Sequence, residues 1–239
     1  CRWSTSGTWY SALPRDVGVL LVAAGRGERA GGGEPKQFRP IAGVPMLLRA
    51  LRPFSQHPEV GPIVIALPSG VMAAPPEWLA ALAGDRVSLV AGGASRRESV
   101  ARALAALDRS ATVVLVHDAA RPFVSGAVID AVIATARAGE GAVAAVPLGD
   151  TLKRTDHAGV ITGTVPRANL WRAQTPQGFP RAMLVAAHAM PDATDATDDA
   201  LLVEAAGHHV RVVPDSPRNF KVTSADDFEL AEVIAGAPS

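Results

Sequence analysis

Val17-Gly-Val-Leu-Leu-Val22 runs straight into Ala23-Ala-Gly-Arg-Gly-Glu-Arg-Ala30, and this junction decides the fold. An apolar run without alternation is a strand covered on both faces, the kind found in parallel sheets. The small residues after it let the chain turn tightly and let backbone amides approach an anion. Ile63-Val-Ile-Ala-Leu67, Val87-Ser-Leu-Val90, Thr112-Val-Val-Leu-Val-His117 and Ala142-Val-Ala-Ala-Val146 have the same style. Helical patterns separate them at Pro45 to Ser55, Ser95 to Leu107 and Ser125 to Ala138. Strands alternating with helices predict an α/β, Rossmann-like fold: an open, mostly parallel sheet with right-handed crossovers, flanked by helices.

The pattern changes after Pro147. Thr151-Leu-Lys-Arg-Thr155, a turn at Asp156 to Gly159, and Val160-Ile-Thr-Gly-Thr-Val165 predict a β-hairpin arm at about 150–170 that projects from the sheet. Such an arm needs a partner surface to cover it. Helices are expected at Arg181 to Met190 and Thr197 to Ala206, with a strand at Val210 to Val213. Asn219-Phe-Lys-Val-Thr223 reads as a further alternating strand, and Ser224 to Ile234 as the last helix. One domain over 17–238 is expected, with 1–16 an extension or cloning remnant that is disordered.

The 239 residues carry 23 basic and 23 acidic side chains. This balance gives no general attraction to nucleic acid or to an anionic membrane, so any anion site has to be built locally. Cys1 is the single cysteine, which excludes an intrachain disulfide and fits a reducing, cytoplasmic setting. No apolar run approaches membrane-spanning length, and Cys1 to Arg15 has no apolar segment of the signal-peptide kind.

Gly25, Gly27 and Ala30 match a relaxed dinucleotide fingerprint. That motif needs a helix opening at its second half and an acid ending the next strand. Here Gly31-Gly-Gly-Glu-Pro35 follows, and the next strand ends Ala66-Leu67-Pro68, so a nicotinamide or flavin site is disfavoured. Ala23, Ala24, Gly25 and Gly27 flanked by Arg29 and Lys36 instead suit a triphosphate, although solvated loop cations would have the same composition. Asp118 follows a buried strand, where ligands sit in open α/β sheets. A carboxylate there can share Mg²⁺ with phosphates, and a helix cap or Asx turn would explain it equally well. His117 lacks the companions of a zinc site and reads as a structural strand-end residue. Ser95-Arg-Arg-Glu98 has capping-box spacing.

Val22-Ala-Ala-Gly-Arg-Gly-Glu-Arg29 with Pro35-Lys-Gln37 resembles the signature of sugar-phosphate nucleotidyltransferases, and more narrowly of cytidylyltransferases acting on a methylerythritol phosphate. The likeness continues through Ala91-Gly-Gly-Ala-Ser-Arg96, Val116-His-Asp-Ala-Ala-Arg-Pro122, Asp150-Thr-Leu-Lys153, Gln174-Thr-Pro-Gln177, Thr197-Asp-Asp199 and Asn219-Phe-Lys-Val-Thr223, in order. The resemblance implies CTP and a sugar-alcohol phosphate as substrates, Mg²⁺ as cofactor and a homodimer formed through the arm. It implies that Arg29, Lys36 and Lys221 are catalytic cations. Ala23, Ala24, Gly25, Gly27, Gly92, Gly93, Ser99, Asp118 and Ala119 would bind the nucleotide, with the base held largely by backbone groups of the Gly92–Gly93 loop. Asp118, Arg121, Thr175 and Thr197 would bind the acceptor, completed by Thr151 and Arg167 from the other subunit, and Asp118 would lie at the metal. Ala94 stands where the family leads one to expect an acid.

Three other functions compete. A ribitol 5-phosphate cytidylyltransferase would carry very similar motifs. A transferase using another nucleotide, such as GTP, is less consistent with the contexts of Lys36 and Asp118. A non-catalytic nucleotide-binding regulator is opposed by the retention of Arg29, Lys36, Asp118 and Lys221 together.

Overall fold

Strand β1 (Val17–Val22) is an inner strand of a seven-stranded sheet. The computed structural model describes residues 2–3, 9–10, 14–25, 35–190 and 196–237. Helix α1 (Met46–Gln56) leads to β2 (Val60–Leu67), which is followed by β3 (Val87–Ala91). Helix α2 (Arg96–Ala106) leads to β4 (Val113–Asp118), and α3 (Gly126–Arg137) to β5 (Gly141–Pro147). Strands β6 (Leu152–Thr155) and β7 (Ile161–Val165) form the arm. Strand β8 (Trp171–Pro180), helices α4 (Arg181–His188) and α5 (Asp199–Ala205), strand β9 (Val210–Pro214) and helix α6 (Ala225–Gly236) complete the chain.

The sheet order is β9-β5-β8-β4-β1-β2-β3. Neighbours are parallel except at β8, which runs antiparallel to both β5 and β4. The continuous apolar run of β1 hides a period of two. Val19 and Leu21 join Leu47, Phe54, Ile129 and Val132 on one face, whereas Leu20 joins Val100, Leu104, Leu184 and Val203 on the other. Both faces are dry, so alternation disappears from the sequence while persisting in space.

Strand β8 is absent from the sequence reading. Its residues, Trp-Arg-Ala-Gln-Thr-Pro-Gln-Gly-Phe-Pro, include two prolines and no aliphatic run. Gln174, Thr175 and Gln177 are nevertheless buried. Gln177 acts as a strut: its Oε1 accepts the Asp199 and Ala200 amides and its Nε2 donates to Asp198. Gly178 is required by contact, since a Cβ there would lie 2.4 Å from Val132 Cγ1.

Asn219–Thr223 is not a strand, contrary to the sequence reading. Val222 is buried with Ile41, Met46, Ala120 and Phe228, and its amide donates to the Ala120 carbonyl. That one anchor turns the neighbouring Lys221 and Thr223 toward the end of the sheet. The arm forms its own two-stranded sheet, with Val160 and Ile161 each 60% exposed. Asp16, placed with the extension by sequence, bonds to Thr112 and Arg137 and so belongs physically to the domain. Before it, Arg2–Trp3 pairs antiparallel with Trp9–Tyr10. Among the described residues no helix is long and apolar enough to cross a membrane.

Candidate active site

The carboxyl ends of β1, β3 and β4 open on a cleft of about 640 Å³. Ala23, Ala24 and Gly25 form one wall, with Lys36 and Gln37 beside them. Gly93, Ala94 and Ser99 form another, and Asp118 to Ala120 lie at the base, with Lys221 and Thr223 overhead. The β3–α2 turn has no room for a side chain at its first residue: a Cβ on Gly92 would lie 2.3 Å from Ala24 Cβ.

Asp118 is the electrostatic centre. Lys221 Nζ donates to its Oδ2 at 2.7 Å, and Arg96 Nε approaches Oδ1 at 3.4 Å. Burial opposes ionisation of this carboxyl, but Arg96 and Lys221 outweigh it and hold Asp118 well below the usual carboxylate range. Arg96 also donates from Nη1 to Asp199 at 2.7 Å, and Asp199 Oδ1 meets His188 Nε2 at 2.9 Å. Asp199 is fully buried, so it fixes the guanidinium from behind. Lys36 Nζ donates to the Val222 carbonyl at 3.0 Å, tying the near wall to the segment that carries Lys221.

The structure thus gathers Lys36, Lys221, Ala23, Ala24, Gly25, Gly93, Ser99, Asp118 and Ala119 at one cleft, with Gly92 packed behind. Gly27 and Arg29 lie outside the described residues. Arg121 and Thr175 sit behind the floor: Arg121 donates to the Asn219 carbonyl at 2.8 Å, and Thr175 bonds Asp118 and His117. Thr197 is exposed ahead of α5. Thr151 and Arg167 are exposed at the base of the arm, with the Arg167 guanidinium on the Gly149 carbonyl, and neither lines the cleft of its own chain.

Arg96 and Asp199 stand in motifs the sequence reading quotes, but it gives neither a role at the site. Arg96 was absorbed into the capping-box reading of Ser95-Arg-Arg-Glu98. That box is half formed: Ser95 Oγ accepts the Glu98 amide, but the Glu98 carboxylate accepts from Ala94 instead of Ser95. Ser99 Oγ accepts the Gly93 amide. The amides of Gly93 and Ala94 are therefore already engaged, and Ser99 and Glu98 hold the shape of the turn.

His117 is fully buried against Phe54, and burial pushes its imidazole down to about 4. The unfolded chain takes up a proton near 6.5 that the folded chain refuses, so stability falls as pH drops from about 6.5 to about 4 and levels off below. The expected loss is about 3 kcal/mol. Urea denaturation at stepped pH checks this, and His117→Phe should flatten that part of the profile.

Among the described residues, an open α/β sheet whose strand ends hold small-residue turns, one carboxylate and cations in one cleft fits a nucleotidyltransferase. A family model described as 2-C-methyl-D-erythritol 4-phosphate cytidylyltransferase matches residues 17–237. The chain belongs to this family. It is 46% identical over 224 residues to the 2-C-methyl-D-erythritol 4-phosphate cytidylyltransferase of Frankia casuarinae, covering 93% of this chain and 82% of that one. It is 45% identical to the same-named protein of Salinibacter ruber, covering 91% and 92%. The crystal structure of 2-C-methyl-D-erythritol 4-phosphate cytidylyltransferase from Thermus thermophilus aligns with a TM-score of 0.76 at 37% identity, covering 91% of this chain and 98% of that one.

Proposed function

We propose that the acceptor's phosphate oxygen, on 2-C-methyl-D-erythritol 4-phosphate, attacks the α-phosphorus of CTP in line within this cleft, and that pyrophosphate leaves. The observation that carries this reading is that Lys36, Arg96 and Lys221 line one cleft with Asp118, the one carboxylate among its described lining residues, and that Arg96 and Lys221 both meet it. A phosphate monoester is ionised near neutral pH, so no strong general base is needed. The barrier lies in bringing anions together and in stabilising the departing charge, which positioned cations do.

Lys221 sits where it can reach the reacting phosphates, Lys36 flanks the small-residue wall, and Asp118 orients both Lys221 and Arg96. Arg29 is proposed to add a cation from the glycine-rich loop. Among the described residues no group of three His, Cys, Asp or Glu could cage a metal ion. A lone carboxylate facing a phosphate site still fits Mg²⁺, which takes most of its ligands from phosphates and water. Asp118 would hold it, and the ion would neutralise phosphate charge.

The arm is proposed to dock on a second copy and to bring Thr151 and Arg167 to that copy's acceptor site. Exposed Leu152, Val160, Ile161 and Trp171 support this, because an isolated two-stranded sheet is marginal in water. Light scattering that returned a monomer mass would remove this part. A cytoplasmic setting is proposed from the single cysteine.

The deciding assay measures pyrophosphate release with each nucleoside triphosphate crossed against 2-C-methyl-D-erythritol 4-phosphate and ribitol 5-phosphate. Release only with CTP and the methylerythritol phosphate is expected. Preference for ribitol phosphate, or CTP binding without release, would overturn the reading.

A further inference from the structure

Beneath the cleft floor lies a hydrogen-bonded chain that the proposed chemistry does not use. The Asp118 amide donates to Thr175 Oγ1 at 3.1 Å. Thr175 Oγ1 lies 2.9 Å from His117 Nδ1, and His117 Nε2 lies 3.0 Å from the Arg121 carbonyl oxygen. The Arg121 amide returns to the Asp118 carbonyl at 2.9 Å, which closes the circuit. His117 and Thr175 are buried, and Phe54 packs on the imidazole with ring centroids 4.9 Å apart.

The proton positions follow from valence. A carbonyl oxygen only accepts, so His117 Nε2 carries the hydrogen given to Arg121. In the neutral ring Nδ1 is then bare and accepts the Thr175 hydroxyl proton. The Thr175 oxygen in turn accepts the Asp118 amide. Every member has one compatible role, and the Asp118 backbone is held at both its amide and its carbonyl.

We propose that His117 and Thr175 act together as positioning residues, setting the place of the Asp118 carboxylate and of the Arg121 turn through this circuit. This rests on the reading of Asp118 as a site residue. It adds to the role that family resemblance implies for Thr175: the hydroxyl proton and one lone pair are committed inside the protein, and the second lone pair remains. Arg121 extends the effect: its guanidinium holds the Asn219 carbonyl, at the start of the segment bearing Lys221.

The test is a double-mutant cycle read by pyrophosphate release from the full chain. Thr175→Val keeps the shape and removes the hydroxyl, and His117→Phe keeps a buried ring and removes both nitrogens. Each should lower kcat, by up to about 100-fold if the carboxylate is displaced on the ångström scale. The double variant should be no worse than the poorer single, and Thr175→Ser should retain most activity. Independent, multiplicative losses in kcat would overturn the proposal. Should the variants fail to fold, the wild-type tautomer decides. Nitrogen-15 NMR at neutral pH should show His117 protonated at Nε2 and bare at Nδ1, and a proton on Nδ1 overturns it. A wild-type chain that releases no pyrophosphate overturns the catalytic reading instead, and the tautomer measurement stays separate from that failure.

Discussion

Lys221→Ala should lower kcat for cytidylyl transfer by about 100-fold or more, the loss seen when a donor to developing charge is removed. Its amine meets Asp118 Oδ2 at 2.7 Å. Its backbone is placed by Val222, whose side chain is buried and whose amide bonds Ala120. Truncation at 221 therefore removes charge without releasing the segment. Lys221 is 42% exposed but Asp118 is only 11% exposed, so losing the amine leaves a buried carboxylate to Arg96 alone and costs some stability. The expected signature is a large fall in kcat with a modest drop in melting temperature. Steady-state kinetics with a parallel thermal melt check both halves, and near-normal turnover would remove Lys221 from the reacting phosphates.

Asp118→Asn should be as damaging to turnover, about 100-fold or more, and should also cost stability. The amide keeps the shape but leaves Arg96 and Lys221 facing a neutral group. Removing one member of a buried pair leaves an uncompensated charge, and partial exposure of both cations brings the expected cost to about 2 kcal/mol, below the fully buried case. The folded carboxyl is depressed, so its stabilisation is complete above the ordinary value of 3.8 and is lost only as pH falls through the lower folded value. The stability gap between wild type and Asp118→Asn should therefore stay constant from about pH 8 to pH 5. Urea titrations across that range measure it. A gap that closes within the window would mean that Asp118 titrates there.

Most of the sheet was legible because its strands are aliphatic runs with turns at their ends. The cleft was legible for the same reason: Ala23 to Gly25, Gly93 and Asp118 to Ala119 follow strands whose ends could be read. Strand β8 was not, because hydropathy detects burial by oil and Gln174, Thr175 and Gln177 are buried by hydrogen bonds. Asn219–Thr223 failed for the opposite reason. Its alternation is real, yet a single anchored residue produces it without any ladder. Arg96 and Asp199 were hidden because their partnership joins residues 103 positions apart. Local spacing explained Arg96 as part of a cap, and nothing local explained Asp199. The motif located Thr175, and the coordinates add its neighbours, the Asp118 amide and His117 Nδ1.

The cations of the cleft already have companions: Lys221 has Asp118, Arg96 has Asp118 and Asp199, and Lys36 has the Val222 carbonyl. Two of these three cations sit on carboxylates, so among the described residues much of the positive charge is already matched at rest. A small anion drifting in would have to out-compete each companion singly and would gain little. A chain of linked phosphates can recruit several donors in one event, spreading the exchange over many contacts. Discrimination between stray monoanions and a polyphosphate would then be a property of the resting wiring, set before any base or sugar is inspected.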